Sequence, residues 1–162
     1  MARRLAATLG IVAVLVAGPA AAQDVDAADV ERLLPIASSL LAAEGFDVGE
    51  LAHVEVVVGD LADRRVGEAM GRRVTIDRDA AGAGWFVDPT PMLGEEFGAR
   101  RLGRSVAPPG SPAHGRIDLL SNLVHELGHV VGLRHGETHF MAAGILPGTR
   151  LVPGSGVDPE AS

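Results

Sequence analysis

The stretch His125-Glu126-Leu127-Gly128-His129-Val130-Val131-Gly132-Leu133-Arg134-His135 gathers three imidazoles and a carboxylate within eleven residues. Residues four apart share one face of a helix. His125 and His129 can therefore address one ion while Glu126, about 100° further round, leans toward a water on it. Gly132, three residues past His129, can end the helix in a left-handed conformation and turn the chain so that His135 reaches the same ion. Three neutral imidazoles with one position left open describe a catalytic zinc rather than a closed structural one. Such an ion lowers the pKa of a bound water to roughly 7 and polarises a carbonyl. Glu126 then serves as general base and acid, not as a ligand.

The element that must carry these groups is a helix. Leu119, Leu120, Leu123, Val124, Leu127, Val130 and Val131 give the run the three-and-four-spaced apolar pattern of a buried helix. A short His-Glu-x-x-His match occurs by chance in many helices, but Gly132 and His135 narrow the alternatives, and four of the six histidines fall between positions 125 and 139. His139 is a competing ligand if the loop runs differently, whereas His53 and His114 have no comparable neighbours.

The run resembles the extended zinc signature of the metzincin metallopeptidases, with Met141 in His-Phe-Met-Ala-Ala similar to the methionine of their Met-turn. The likeness extends through Val74 to Pro91, Glu95-Glu96-Phe97, Ile117 to Leu120 and Ala142 to Arg150, which together resemble a matrixin-like domain of bacterial extracellular proteins. It implies an α+β, zincin-type fold: one twisted, mostly parallel sheet with an antiparallel edge strand along the cleft, an N-terminal helix and an active-site helix. The candidate for the edge is Arg65 to Met70, where an extended peptide can add its backbone. The resemblance also implies that Met141 underlies the imidazoles and that Phe140 to Leu146 shapes the main side-chain pocket. The expected activity is zinc-dependent endopeptidase. The alternatives are a zinc-containing binding or inhibitory module and a hydrolase of non-peptide substrates. With no tyrosine in the chain, the tyrosine that some metzincins place after the Met-turn is missing, and transition-state charge rests on the metal and converging N–H groups.

Asp77, Asp79 and Asp88, near the glycine-rich Gly82 to Gly84 loop, are candidate calcium ligands because calcium prefers oxygen donors. Equally, Asp77 and Asp79 can cap a turn and Asp88 can accept backbone hydrogen bonds ahead of Pro89. Trp85 and Phe86 are expected to anchor the loop from Val87 to Pro91 in the core.

Residues 1–22 read as a secretory signal peptide: Arg3 and Arg4, an apolar run from Leu5 to Ala17, and Ala20-Ala21-Ala22 before Gln23. The expected product is a single domain over residues 23–162, secreted or periplasmic, monomeric and not inserted in a membrane. Its 12 basic and 21 acidic residues give a formal charge of −9, which argues against nucleic acid or anionic lipid as partner, while the metallopeptidase resemblance implies a protein or peptide substrate. The chain has no cysteine, so packing and metal must stabilise it without disulfides, and latency through a propeptide thiol is excluded.

Ahead of the motif, Val30 to Leu41 predicts an amphipathic helix with Asp29 as its cap, Pro35 at its first main turn or at a kink, and Gly45 at its end. His53 to Val58, Val66 to Met70 and Arg72 to Ile76 predict three strands, the last two around Gly71. Pro108-Pro-Gly-Ser-Pro112 reads as a loop.

Overall fold

The structure, a computed structural model, describes residues 23–154. The expected leader, residues 1–22, lies outside the described residues.

Helix α1 spans Ala27–Ala43. Its N-cap is Asp26 rather than Asp29. The Asp26 side chain accepts from Asp29 N at 3.0 Å, and the Asp29 side chain accepts from Asp26 N at 3.4 Å. Two aspartates three apart thus form a reciprocal capping box. Val30, Leu33, Ala37 and Leu41 form the buried stripe. Pro35 lies inside the helix, and Gly45, at φ +90°, turns the chain after it.

A 3-10 turn, Gly49–His53, occupies the start of the first expected strand, held by Asp47 accepting from Gly49 N at 2.9 Å. Strand β1 (Glu55–Gly59) runs parallel to β3 (Arg73–Asp77), and β2 (Gly67–Met70) pairs antiparallel with β3 through a turn at Gly71. The order β1-β3-β2 puts β2 at an edge.

The sheet does not continue, which overturns the expectation of one twisted, mostly parallel zincin-type sheet. Among the described residues there are three small separate sheets of three, two and two strands, with mixed topology. Strand β4 (Trp85–Phe86) pairs in parallel with β6 (Ile117–Asp118), and β5 (Ser105–Val106) pairs antiparallel with β7 (Thr149–Arg150). The cause is local. After β3 the chain takes left-handed turns at Ala80, Ala81, Gly82 and Gly84, and Asp88 with Pro89 starts another turn after only two paired residues.

Helix α2 (Leu119–Val130) is buried from Leu119 through Gly128 and packs on α1 and β2. Trp85, Ile76, Val74, Leu33, Leu41, Leu123, Leu127, Phe140 and Met141 close the main core. Trp85 Nε1 donates to the Asp77 carbonyl at 2.8 Å, so the ring is both an anchor and satisfied. Phe86 belongs to a smaller cluster with Phe97, Ala107 and Ala113. Among the described residues, no helix is long and apolar enough to cross a membrane.

Candidate metal centre

Helix α2 is fixed at both ends. Its N-cap, Asp118, accepts from Ser121 N at 3.1 Å and from Ser121 Oγ at 2.5 Å. The same carboxylate takes a two-pronged contact from Arg150, with Nε to Oδ2 at 3.0 Å and Nη2 to Oδ1 at 2.8 Å. At the other end Gly132 adopts φ +95°, its N–H reaching the His129 carbonyl at 3.1 Å and that of Leu133 reaching the Gly128 carbonyl at 2.9 Å. These two bonds make a Schellman cap, the left-handed turn expected from Gly132.

The turn brings the imidazoles together. His135 Nε2 lies 3.1 Å from His125 Nε2 and 3.1 Å from His129 Nε2. The ligand atoms of the three all fall within 4.8 Å of one another. His125 Nδ1 donates to the Phe140 carbonyl at 3.2 Å, and His129 Nδ1 donates to the Leu133 carbonyl at 2.9 Å. Carbonyls only accept, so both Nδ1 atoms carry hydrogen and both Nε2 atoms present lone pairs to the common centre. A hydrogen on His135 Nε2 can serve only one of them well, whereas a cation at the centre serves all three. Donors around a tetrahedral ion with zinc–nitrogen bonds of about 2.0–2.1 Å stand about 3.3 Å apart, and the observed 3.1 Å fits such a group. Burial holds the His125 imidazole down to about 4, against a smaller upward pull from the Phe140 carbonyl, so it is neutral and free to ligate near pH 7. Exposure grades from buried His125 through half-buried His129 to exposed His135, leaving the centre open on one side.

Glu126 is buried in the wall between α2 and β2. Its carboxyl is pushed up to about 7, first by burial and then by the charge of Glu68, with a hydrogen bond from the Ala69 backbone opposing. An ideal Cβ on Gly67 would meet Glu126 Oε1 at 2.5 Å and Asn122 Nδ2 at 2.7 Å, so only glycine lets β2 approach this closely. Asn122 Nδ2 donates to the Val66 carbonyl at 3.3 Å and ties the helix to the edge strand. Gly67 and Asn122 escape sequence reasoning because each meets its partner across the contact between β2 and α2, more than fifty positions away in the chain, and a glycine opening a strand is the single available hint.

Met141, in the short turn His139–Met141, is fully buried against Gly128, where an ideal Cβ would fall 2.5 Å from its Sδ. The Met141 carbonyl accepts from Gly136 N at 2.8 Å, coupling this turn to the loop that carries His135. Phe140 joins the core, while Ala143, Gly144 and Ile145 line the cleft. His139 is drawn away from the cluster, its Nε2 lying 2.7 Å from Arg100 Nη2 and 3.0 Å from the Val152 carbonyl.

The three aspartates are spent on the fold. Asp77 accepts from Leu61 N and Ala81 N, each at 2.7 Å, and Asp79 accepts from Gly82 N at 2.9 Å. Asp88 accepts from Thr90 N at 2.7 Å, and its other oxygen lies 2.7 Å from Arg150 Nη2. The cation beside Asp88 is therefore a guanidinium. Among the described residues the three histidines form the one cluster able to hold a metal ion.

A cleft of about 410 Å³ runs over the centre, lined by Arg64 to Ala69, Asn122, Glu126, the three histidines and Ala143 to Ile145. Among the described residues, fold and site together define two main helices and three short sheets around a three-histidine site able to coordinate a metal ion. No family model, no curated protein and no solved structure matches the chain.

Proposed function

We propose that the protein is a zinc-dependent endopeptidase. The carrying observation is the convergence of three Nε2 atoms, two of them oriented by backbone carbonyls, beside a buried glutamate in a cleft bordered by an edge strand. His125, His129 and His135 hold the ion, which supplies Lewis acidity toward a water and a substrate carbonyl.

The chain does the rest. Glu126, held in the cleft beside the three imidazoles, takes the proton released by the attacking water and returns it to the departing amine nitrogen. Strand β2 lies at the edge of its sheet and borders the cleft, where an extended peptide can lie alongside it. Asn122 and Gly67 keep that strand against Glu126. An activity outside the cytoplasm is supported by the apolar run from Leu5 to Ala17 behind Arg3 and Arg4, read as a secretory leader.

The test uses protein beginning at Gln23, assayed for zinc content and for cleavage of a mixed peptide library, with Glu126→Gln in parallel. About one zinc per chain in both forms, with cleavage by wild type alone, is the expected result. Zinc in both forms without cleavage by either would favour a binding module, and folded protein that refuses zinc would remove the basis of the proposal.

A further inference from the structure

Between β1 and β2 the chain makes a tight turn, closed by Arg65 N donating to the Ala62 carbonyl at 3.3 Å. Its two central residues, Asp63 at φ +60° and Arg64 at φ +59°, are both left-handed without being glycine. Turns of this kind favour Asn-Gly or Asp-Gly, and a side chain bearing Cβ at the second position is strained against the following carbonyl. An arginine kept where glycine would be unstrained calls for a reason outside the turn, and strain of this sort gathers at sites of function.

The position supplies one. Arg64 lines the cleft three residues before Gly67, the first residue of the edge strand. The adjacent Arg65 is already committed, its guanidinium bonded to Glu68 and to the Ala62 carbonyl. No carboxylate among the described residues pairs with Arg64. Its charge stands in the cleft of a chain that is otherwise acidic, at formal charge −7.

We propose that Arg64 is a specificity-determining residue that selects peptides presenting a carboxylate to the cleft. This deepens the peptidase reading and rests on it. A peptide added along β2 brings its side chains past the turn, where a planar guanidinium receives a carboxylate through two parallel bonds. The same group can come from an Asp or Glu side chain or from the peptide's own C-terminus.

Peptides identical except for Asp, Asn or Lys at each position around the cut, with free or amidated C-termini, separate the two sources. Wild type is expected to favour Asp over Asn by about 5-fold in kcat/KM at low salt, with the preference shrinking as salt is added. Arg64→Gly should bring that ratio to about 1 while raising Tm, because the strain is relieved. Arg64→Glu should turn the preference toward Lys. A gain in stability with a loss of selectivity cannot come from misfolding. The same peptide pairs are titrated by fluorescence anisotropy onto zinc-loaded Glu126→Gln, so Arg64 is tested by binding whether or not cleavage occurs. Equal cutting and binding of Asp and Asn peptides by proteins retaining Arg64, or an Asp preference that survives Arg64→Gly, overturns the inference and leaves the peptidase reading standing. An amide-sensitive preference assigns the carboxylate to the substrate C-terminus. Absence of all cleavage strikes the peptidase reading instead.

Discussion

Arg150→Met tests the buried ion cluster that joins β7 to the start of the histidine-bearing helix. Arg150, Asp88 and Asp118 have side-chain exposures of 6%, 0% and 1%, with the guanidinium 2.7 Å from Asp88 and 2.8 Å from Asp118. At such depth the net worth of the cluster is small, because desolvation offsets attraction, but removing one member leaves the others charged and unpaired. Arg150→Met strands two carboxylates and should cost about 3–5 kcal/mol at pH 7. In a domain of this size that lowers Tm by roughly 10–20 °C. Neutralising the partners as well, with Asp88→Asn and Asp118→Asn, should recover more than half of the loss, so the three changes are strongly non-additive. Urea titrations followed by the fluorescence of Trp85, the single tryptophan and fully buried, measure each free energy. A loss under about 1 kcal/mol for Arg150→Met, or single-variant losses that simply add, would show that the cluster is hydrated and the reasoning wrong.

The remaining predictions concern the centre itself. In metal-free protein, the Glu126 carboxyl is raised from 4.5 to about 7. Its fold therefore holds a proton that the unfolded chain gives up, and stability falls as pH rises through that window, by about 3 kcal/mol in all. Relative to Glu126→Gln, wild type without metal should lose this amount between pH 4.5 and 7 in paired denaturation curves; a pH-independent difference refutes the burial argument. Gly67→Ala should leave zinc content near one but cut kcat by at least about 10-fold, since the added methyl drives β2 off Glu126; full activity would place Glu126 elsewhere. Gly132→Val forces a β-branched residue into φ +95° and should weaken zinc affinity about 10- to 100-fold by misplacing His135, measured by competition with a chromogenic chelator. Chelation of wild type should abolish cleavage and lower Tm, with both restored by zinc, and a chelated protein that still cuts would exclude a metal mechanism.

The metal centre is legible because its information is local. Helical spacing aligns His125 with His129, and one glycine sets the reversal that returns His135. Asp118 and Arg150, thirty-two positions apart, lack any such signature, and Asp88 reads as an oxygen donor for calcium until its distant guanidinium is seen. The sheet misleads for the same reason. Val74 to Ile76 reads as strand and Trp85-Phe86 only as a loop anchor, and the break between them lies at the left-handed turns at Ala80 and Ala81, where alanine gives no warning. The helix cap shifts by three because two aspartates occupy the two ends of one box.

All three imidazoles lie within residues 125–135, so the loop closed by the ion is short and its entropic cost is low even in an unfolded chain. An ion with any affinity for these three histidines in the unfolded chain would contribute less to equilibrium stability than its native affinity alone would give. What it changes more is the order of events. A chain that meets metal early can form the last turn of α2 and the reversal at Gly132 ahead of the strands, making the metal-binding segment a starting point for folding rather than its final ornament.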